Sequence, residues 1–151
     1  KPKWPKLTGY SVPIGEALIS HSGSEATVVT HGRMAPICLE VARRFAAEGR
    51  GSVEVIDLRS LIPYDWEAIA ASVVKTGRVV FVNEETEITN FAEHLIRRLV
   101  DEFFYKLKVR PRLLAGKATP GIGLSPNLES FIQPQTKDVE RVVGELLAEP
   151  V

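Results

Sequence analysis

The chain has 151 residues, the length of one ordinary domain, and 44% of them are hydrophobic, which is enough to bury a core without disulfides. Its 19 Lys and Arg residues balance its 19 Asp and Glu residues, so no overall field attracts a nucleic acid or an anionic membrane, and neither is expected as a partner. A single cysteine, Cys38, excludes an internal disulfide framework and a cysteine-rich zinc site.

The beginning of the chain predicts a linker. Residues 1–16 are rich in Pro and Lys and show no periodicity, which leaves residues 17–151 as one domain of a longer protein. No apolar run approaches the roughly 20 residues that a membrane-spanning helix needs. No signal-peptide pattern opens the chain either, so we expect a soluble, intracellular protein.

Apolar periodicity predicts five strands and four helices. The predicted strands are residues 17–20, 26–30, 53–58, 79–82 and 112–115. The first and last predicted helices are residues 34–48 and 137–148. The second is capped by Asp65 and stops at Gly77, and the third is capped by Thr89 or Asn90 and runs through Phe103. Repeated Gly and Pro between Lys117 and Gln135 predict a loop.

Strands that alternate with helices predict a parallel sheet, because a crossover helix returns the chain to the same end of the sheet. The fold class is therefore α/β, a three-layer α/β/α sandwich around a five-stranded, mostly parallel sheet. The strand at residues 17–20 is joined to its neighbour by a short polar turn, so it is predicted to be the one antiparallel strand.

Polar residues follow three of the predicted strands at their carboxyl ends, where ligands bind in open α/β sheets. The candidate residues at this edge are Gly32, Asp57, Arg59, Asn83 and Glu84. Asp57 and Arg59 either contact a ligand or a partner subunit, or only fix the turn after the strand. The sequence leaves both interpretations open.

The sequence contains few signs of a catalytic motif. Neither a P-loop nor a dinucleotide-binding glycine pattern is present, and the three histidines have no metal-ligand spacing. His31 is placed where a catalytic histidine could act, but no partner is identifiable, which favours a polar loop residue. In the acidic stretch at 83–87, we expect Glu85 and Glu87 to be solvated and Glu84 to form a salt bridge or an interface contact.

Two aromatic groups are candidate interface residues. Phe103, Phe104 and Tyr105 end the third predicted helix, and Phe131 lies with Ile132 in the proline-bounded loop. Each group forms either an exposed contact patch or part of the core.

Five segments, in this order, carry a family resemblance: VPIGEA, ATVVTHGRM, DLRSLIPYD, SVVKTGRVV and SPNLESFIQP. The chain resembles the C-terminal domain of the beta subunit of thiamine-diphosphate-dependent 2-oxo-acid dehydrogenases, the decarboxylating component of the pyruvate and branched-chain complexes. This domain belongs to the wider transketolase C-terminal group.

The resemblance implies a supporting role. In this family thiamine diphosphate and magnesium are held by other domains, so this fragment is expected to hold no cofactor, to contain no catalytic residue and to be inactive alone. The domain builds beta–beta contacts, meets the alpha subunit or domain, and helps to dock the subunit-binding domain of the dihydrolipoyl acyltransferase. The parent enzyme decarboxylates a 2-oxo acid and transfers the acyl group to a lipoyl group, in the cytoplasm or, in a eukaryote, in the mitochondrial matrix.

One loop departs from the family pattern. The family usually reads His-Glu-Ala-Pro, then a threonine and two glycines before a phenylalanine, whereas this chain reads Asn83 to Phe91 without the histidine, the proline or the glycines. Asn83 cannot titrate as histidine does, and losing two glycines stiffens the loop.

Two alternatives remain open. The first is a regulatory module that binds a small ligand or an anion around Gly32, Arg59 and Glu84. The second is the same domain from a transketolase, a deoxyxylulose-phosphate synthase or a 2-oxo-acid ferredoxin oxidoreductase, over which the NLESFIQP segment favours the dehydrogenase.

Overall fold

The structure, a computed structural model, describes Gly9, residues 11–121 and residues 123–151. Most of the linker predicted over residues 1–16 therefore lies outside the described residues. Within the described part, the elements alternate as the sequence predicts. The strands are β1 (Leu18–His21), β2 (Ala26–Thr30), β3 (Val53–Asp57), β4 (Val79–Thr86) and β5 (Arg112–Gly116). The helices are α1 (Met34–Ala47), α2 (Trp66–Thr76), α3 (Phe91–Phe103), α4 (Pro126–Ile132) and α5 (Thr136–Ala148), with a short 3₁₀ turn at Phe104–Lys106.

The five strands form one sheet in the order β1, β3, β2, β4, β5. β3, β2, β4 and β5 run parallel, and β1 pairs antiparallel with β3. This arrangement confirms the predicted mixed sheet and the predicted antiparallel first strand. It also places β2 at the centre of the sheet, between β3 and β4.

Successive strand residues alternate between two apolar cores, because side chains in a strand point to opposite faces. Val28 of β2 lies in the core formed with α1 and α5, whereas its neighbour Val29 lies in the core formed with α2 and α3. Val80 and Phe81 of β4 divide in the same way. Two cores on two faces of one sheet make the three-layer sandwich that the sequence predicts.

The predicted helix ends are confirmed at two caps. Asp65 precedes α2, where its carboxylate accepts a hydrogen bond from the Ala68 amide at 3.0 Å, and Gly77 ends the helix with a left-handed φ of 71°. Asn90, and not Thr89, caps α3. Capping satisfies amides that the helix itself leaves without a partner, which explains why these polar residues fix the boundaries.

Two segments differ from the prediction. The region predicted as a loop at 117–135 contains the seven-residue helix α4, which starts after the Ser125 cap with Pro126 in its first turn. β4 continues past Val82 to Thr86, so Asn83 and Glu84 belong to the strand and not to a loop. The seven-residue α4 is too short to show an apolar period, and in β4 polar residues interrupt the apolar pattern although the strand continues.

Cys38 is a small buried side chain, and only 1% of its surface is exposed. Burial raises the pKa of its thiol to about 12, which makes it unreactive at neutral pH. Among the residues that the structure covers, no helix has the length and apolar character needed to cross a membrane.

Candidate functional site at the carboxyl edge of the sheet

The strand order creates a crevice between β2 and β4. From β2 the chain crosses to β3 on one side, and it then returns to β4 on the other side of β2. Such a reversal separates the segments that follow β2 and β4, and ligands of open α/β sheets bind at this point. His31 and Gly32 follow β2 here, and Asn83 to Thr86 form the end of β4.

His31 meets a carboxylate in the crevice. Its Nε2 atom lies 3.6 Å from Oε1 of Glu85, and Nε2 is buried without a hydrogen bond. The other oxygen of Glu85 accepts a hydrogen bond from the Phe91 amide at 3.0 Å. Glu85 is thus half-buried and structural, and the expectation that it is solvated was wrong. The sequence gives no sign of this contact, because it depends on the parallel pairing of two strands that are distant in the chain.

Gly32 and Glu84 face each other across the same crevice. Gly32 has a left-handed φ of 60°, and Oε1 of Glu84 lies 3.7 Å from the place that a Cβ atom on Gly32 would occupy. Glu84 is half-buried, and no ion pair to it occurs within the described part of the chain. The two candidate residues therefore lie together in the crevice.

Asn83, which stands where the family usually has histidine, is held by a second amide side chain. Its Nδ2 donates to Oδ1 of Asn90 at 2.7 Å, and Nδ2 of Asn90 donates back to its Oδ1 at 2.8 Å. Asn90 also donates to the Thr86 carbonyl and accepts from the Ala92 amide. Both side chains are buried, so the amide pair ties the end of β4 to the start of α3.

Asp57 and Arg59 lie one strand away from the crevice, at the end of β3. The Arg59 amide donates to Oδ1 of Asp57 at 3.2 Å, and its guanidinium donates to the Glu16 carbonyl at 2.9 Å. Arg59 also has a left-handed φ of 56°, which is rare for a residue with a side chain. These contacts match the interpretation that the pair fixes the turn. The arrangement does not bring Arg59 to Gly32 and Glu84.

The turn after β3 also holds the segment that leads into β1. Oγ of Ser60 accepts a hydrogen bond from the Gly15 amide at 2.8 Å, and Oδ2 of Asp65 accepts one from the Ala17 amide at 2.9 Å. The last residues of the predicted linker are therefore anchored to the connection between β3 and α2.

A cleft of about 260 Å³ opens beside the crevice. It is smaller than the roughly 300 to 1,000 Å³ usual for ligand pockets. Its lining consists of Glu84, Glu85, Thr86, Gly116, Lys117, Thr119, Gly121, Ile132 and Gln133. No group of three or more His, Cys, Asp or Glu residues suited to a metal ion occurs in the ranges that the structure describes.

Large apolar side chains are exposed around this edge of the sheet. We call them the carboxyl-edge face, and they come from the lead-in, from the loops after β3 and β4, and from the α4 region. The residues of this face are Ile14, Ile62, Ile88, Leu124, Leu128 and Phe131. Ile62 is 90% exposed and Phe131 is 60% exposed, whereas Ile132 is buried, so the predicted pair at 131–132 divides between surface and core.

The aromatic residues at the end of α3 divide in the same way. Phe103 packs against the core formed with α2, where its ring centroid lies 6.3 Å from that of Trp66. Phe104 and Tyr105 are exposed, Tyr105 by 96%. They remain candidates for a contact surface.

Comparisons with known proteins agree with the resemblance. The family described as Transketolase, C-terminal domain matches residues 15–139. The 3-methyl-2-oxobutanoate dehydrogenase subunit beta of Mycobacterium tuberculosis is 39% identical over 108 residues, 72% of this chain and 31% of that protein. The pyruvate dehydrogenase E1 component subunit beta of Leifsonia xyli is 35% identical over 150 residues, 96% of this chain and 43% of that protein.

Solved structures confirm the fold. A chain described as a split gene transketolase, in an inactive beta4 tetramer, superposes with a TM-score of 0.79 at 24% identity, covering 97% of this chain and 48% of that one. This chain thus spans less than half of the length of these relatives. The match over residues 15–139, together with this architecture, places the chain in the transketolase C-terminal domain family, and the two relatives described above are named as beta subunits of 2-oxo-acid dehydrogenases.

Proposed function

We propose that the chain is the assembly domain of the beta subunit of a decarboxylating 2-oxo-acid dehydrogenase, and that it acts through the carboxyl-edge face. The exposure of large apolar side chains at this one edge carries the proposal, because apolar patches on a protein surface mark contact sites. Ile14 and Ile62, which are 81% and 90% exposed, lie beside the anchored lead-in. We propose that a neighbouring beta subunit covers this face.

Three of the polar side chains at the same edge support assembly over catalysis. Asn83 is bonded to Asn90, Glu85 is bonded to the Phe91 amide, and Arg59 is bonded to the Glu16 carbonyl. A catalytic group needs a free position within hydrogen-bond reach of its substrate. These side chains are already used to hold the chain's own backbone and loops.

Thiamine diphosphate and magnesium do not fit this chain well. The cleft at the crevice measures about 260 Å³, and both Glu85 in its lining and Asn83, which precedes the lining residue Glu84 in β4, have structural partners. We therefore assign both cofactors to other parts of the parent protein. The parent would decarboxylate a 2-oxo acid and transfer the acyl group to a lipoyl group of the acyltransferase.

Two similar proteins support the proposed self-association and the proposed cellular compartment. The split gene transketolase with the same fold is described as an inactive beta4 tetramer, so a beta chain of this fold assembles with itself in that protein. The pyruvate dehydrogenase E1 component subunit beta-1 of Arabidopsis thaliana is named as mitochondrial. We propose the cytoplasm for this chain, or the mitochondrial matrix if its source is a eukaryote.

Sedimentation velocity tests the proposal on the chain itself. We expect concentration-dependent self-association, and we expect Ile62→Asp to weaken it at least about tenfold, or about 1.4 kcal/mol, because a charge would be buried in an apolar contact. Since Ile62 is 90% exposed, this variant should keep its fold, which circular dichroism would check. Val74→Asp is the matched control, because Val74 is exposed on α2 and outside the carboxyl-edge face.

A monomer at all concentrations, or equal weakening by Val74→Asp, would contradict assembly through this face. The parent activity has a separate test. The full beta subunit with its alpha partner should decarboxylate a 2-oxo acid when thiamine diphosphate and magnesium are supplied, and Ile62→Asp should lower activity in proportion to lost assembly. Docking is tested by titrating the purified subunit-binding domain of the acyltransferase against that assembled enzyme.

A further inference from the structure

β5 is one of the two edge strands of the sheet, and β1 is the other. β5 pairs with β4 on one side only, and it is the last strand in the sheet order. Arg112, Leu113 and Leu114 pair in regular parallel register with Val80, Phe81 and Val82, and the register shifts only beyond them, before Gly116 pairs with Thr86. Half of the N–H and C=O groups of such a strand point to the free side, where they can pair with another strand.

The opposite edge is different. β1 has four residues, and its register with β3 shifts between Ile19 and His21. Short and irregular edges resist pairing with other chains. Of the two edges within the described residues, β5 offers the longer regular stretch to an added strand, from Arg112 to Leu114.

A groove runs along the free side of β5. Three clefts of about 590, 330 and 260 Å³ follow one another there, the first two sharing Arg110 and Pro111, and the last two sharing Leu114 and Arg141. We call this the edge groove. The residues that line it, from one end to the other, include Tyr105, Arg110, Arg112, Leu114, Lys117 and Lys137.

The two ends of the edge groove differ in chemistry. The largest cleft is mainly apolar, and the exposed rings of Phe104 and Tyr105 form part of it. The rest is cationic. Four exposed cations that line the edge groove, Lys108, Arg110, Lys117 and Lys137, have no carboxylate within 4.0 Å in the part of the chain described.

The edge groove has fewer carboxylates than cations, and one of its two carboxylates, Glu145, is ion-paired. Glu145 pairs with Arg112 at 2.8 Å and with Arg141 at 3.0 Å, and Asp138 accepts a hydrogen bond from the Gln135 amide. The groove therefore carries a surplus of positive charge on a chain whose net charge is zero. Such a local surplus attracts a partner of opposite charge and orients it.

The geometry points to an acidic, extended segment of a partner protein as the occupant of the edge groove. It would add to the sheet beside β5, place an apolar side chain in the cleft at Phe104, and direct carboxylates toward Arg110 and Lys137. The five residues of β5 extend about 17 Å at roughly 3.3 Å per residue, so a segment of five or six residues spans the groove. Main-chain pairing supplies affinity, and the side-chain clefts supply selectivity.

A labelled peptide of alternating valine and glutamate tests this with the whole chain. Fluorescence anisotropy should show binding at least about tenfold tighter than that of the matched valine–glutamine peptide, and the difference should shrink with salt. Arg110→Glu and Lys137→Glu should each weaken binding. Arg43→Glu is the control, because Arg43 is exposed on α1 and lines no part of the groove. Hydrogen exchange of the Leu113 and Leu114 amides should slow on binding.

Equal binding of both peptides, no binding, unchanged exchange at β5, or an equal loss with Arg43→Glu would overturn the inference. So would release of self-associated chains by the peptide, because a second copy would then occupy the groove. If Arg110→Glu still self-associates, the edge groove is a different surface from the one through which the chain self-associates. The two proposals can therefore fail independently.

Discussion

Asn83 and Asn90 exchange two side-chain hydrogen bonds across the junction between β4 and α3, at 2.7 and 2.8 Å. Asn83 replaces the histidine, and Asn90 replaces a glycine, of the usual family pattern. The two departures therefore compensate each other. A buried amide needs partners for its donors and its acceptor, and here each amide supplies them to the other.

Asn90→Ala should lower the free energy of unfolding by about 2.5 kcal/mol, because it removes the cap of α3 and leaves the buried Asn83 amide without its partner. Urea denaturation would measure this. In a cycle with Asn83→Ala and the double variant, the coupling energy should be about 1 to 2 kcal/mol. Additive effects of the two single substitutions would show that the pair is not a unit.

Thr89→Gly should raise the free energy of unfolding by about 1 kcal/mol. Thr89 has a left-handed φ of 61°, which is unfavourable for a β-branched residue and free of strain for glycine. The family's glycine at this place fits the same conformation. Ile88→Gly is the matched control, and it should lower stability by about 0.5 kcal/mol, because a glycine there only adds freedom to the unfolded chain. If thermal or urea denaturation shows that both variants are less stable than the parent chain, the backbone at Thr89 is not strained.

Glu54 and Lys75 form a pair that should make stability depend on pH. Glu54 is only 3% exposed, and Lys75 is 45% exposed. Burial raises the pKa of Glu54, but hydrogen bonds from Lys75, Ser72 and the Gly23 amide lower it more, so that the pKa lies below its ordinary value of 4.5. The unfolded chain binds this proton more readily than the folded chain does.

The stabilisation from this pair is therefore complete above about pH 4.5 and disappears as the pH falls through the lower folded pKa. Glu54→Gln should cost about 1.5 kcal/mol at pH 7, and this cost should diminish on acidification. Lys75→Met, which leaves the buried carboxylate unpaired, should cost about 2 kcal/mol at pH 7. Urea midpoints between pH 7 and pH 3 would test both, and a constant difference between Glu54→Gln and the parent would refute the linkage.

Asp65→Ala should lower the free energy of unfolding by about 2 kcal/mol, because two backbone amides lose the acceptor. Hydrogen exchange should accelerate at Ala17 and Ala68 together. Ser60→Ala frees only the Gly15 amide and should cost less, about 0.5 to 1 kcal/mol. Faster exchange at Ala68 alone would show that the lead-in is held by other contacts.

Local signals predicted most of the fold. Period-two and helical apolar patterns located all five strands and four of the five helices within the described residues, and Asp65 and Gly77 marked the ends of α2 because capping chemistry is local. α4 was missed because seven residues carry too little periodicity, although Ser125 followed by Pro126 was an available start signal.

The site needed information that no local pattern contains. The crevice depends on strand order, which places β4 beside β2 and moves β3, with Asp57 and Arg59, to the other side. The contact between His31 and Glu85 joins residues more than 50 positions apart, so it follows from register and not from spacing. The sequence predicted Gly32, Arg59 and Glu84 at one edge of the sheet, because residues after parallel strands share that edge, but it did not predict the strand order that sets Arg59 apart from the other two.

The two oxygens of Asp65 hold separate parts of the chain, the Ala17 amide ahead of β1 and the Ala68 amide in the first turn of α2. The lead-in and the first turn of α2 thereby share one side chain. Ser60 and Arg59 hold the same lead-in through the Gly15 amide and the Glu16 carbonyl. The connection between β3 and α2 thus forms three hydrogen-bonded contacts to the lead-in, and the Asp65 contact is the one that also caps the helix.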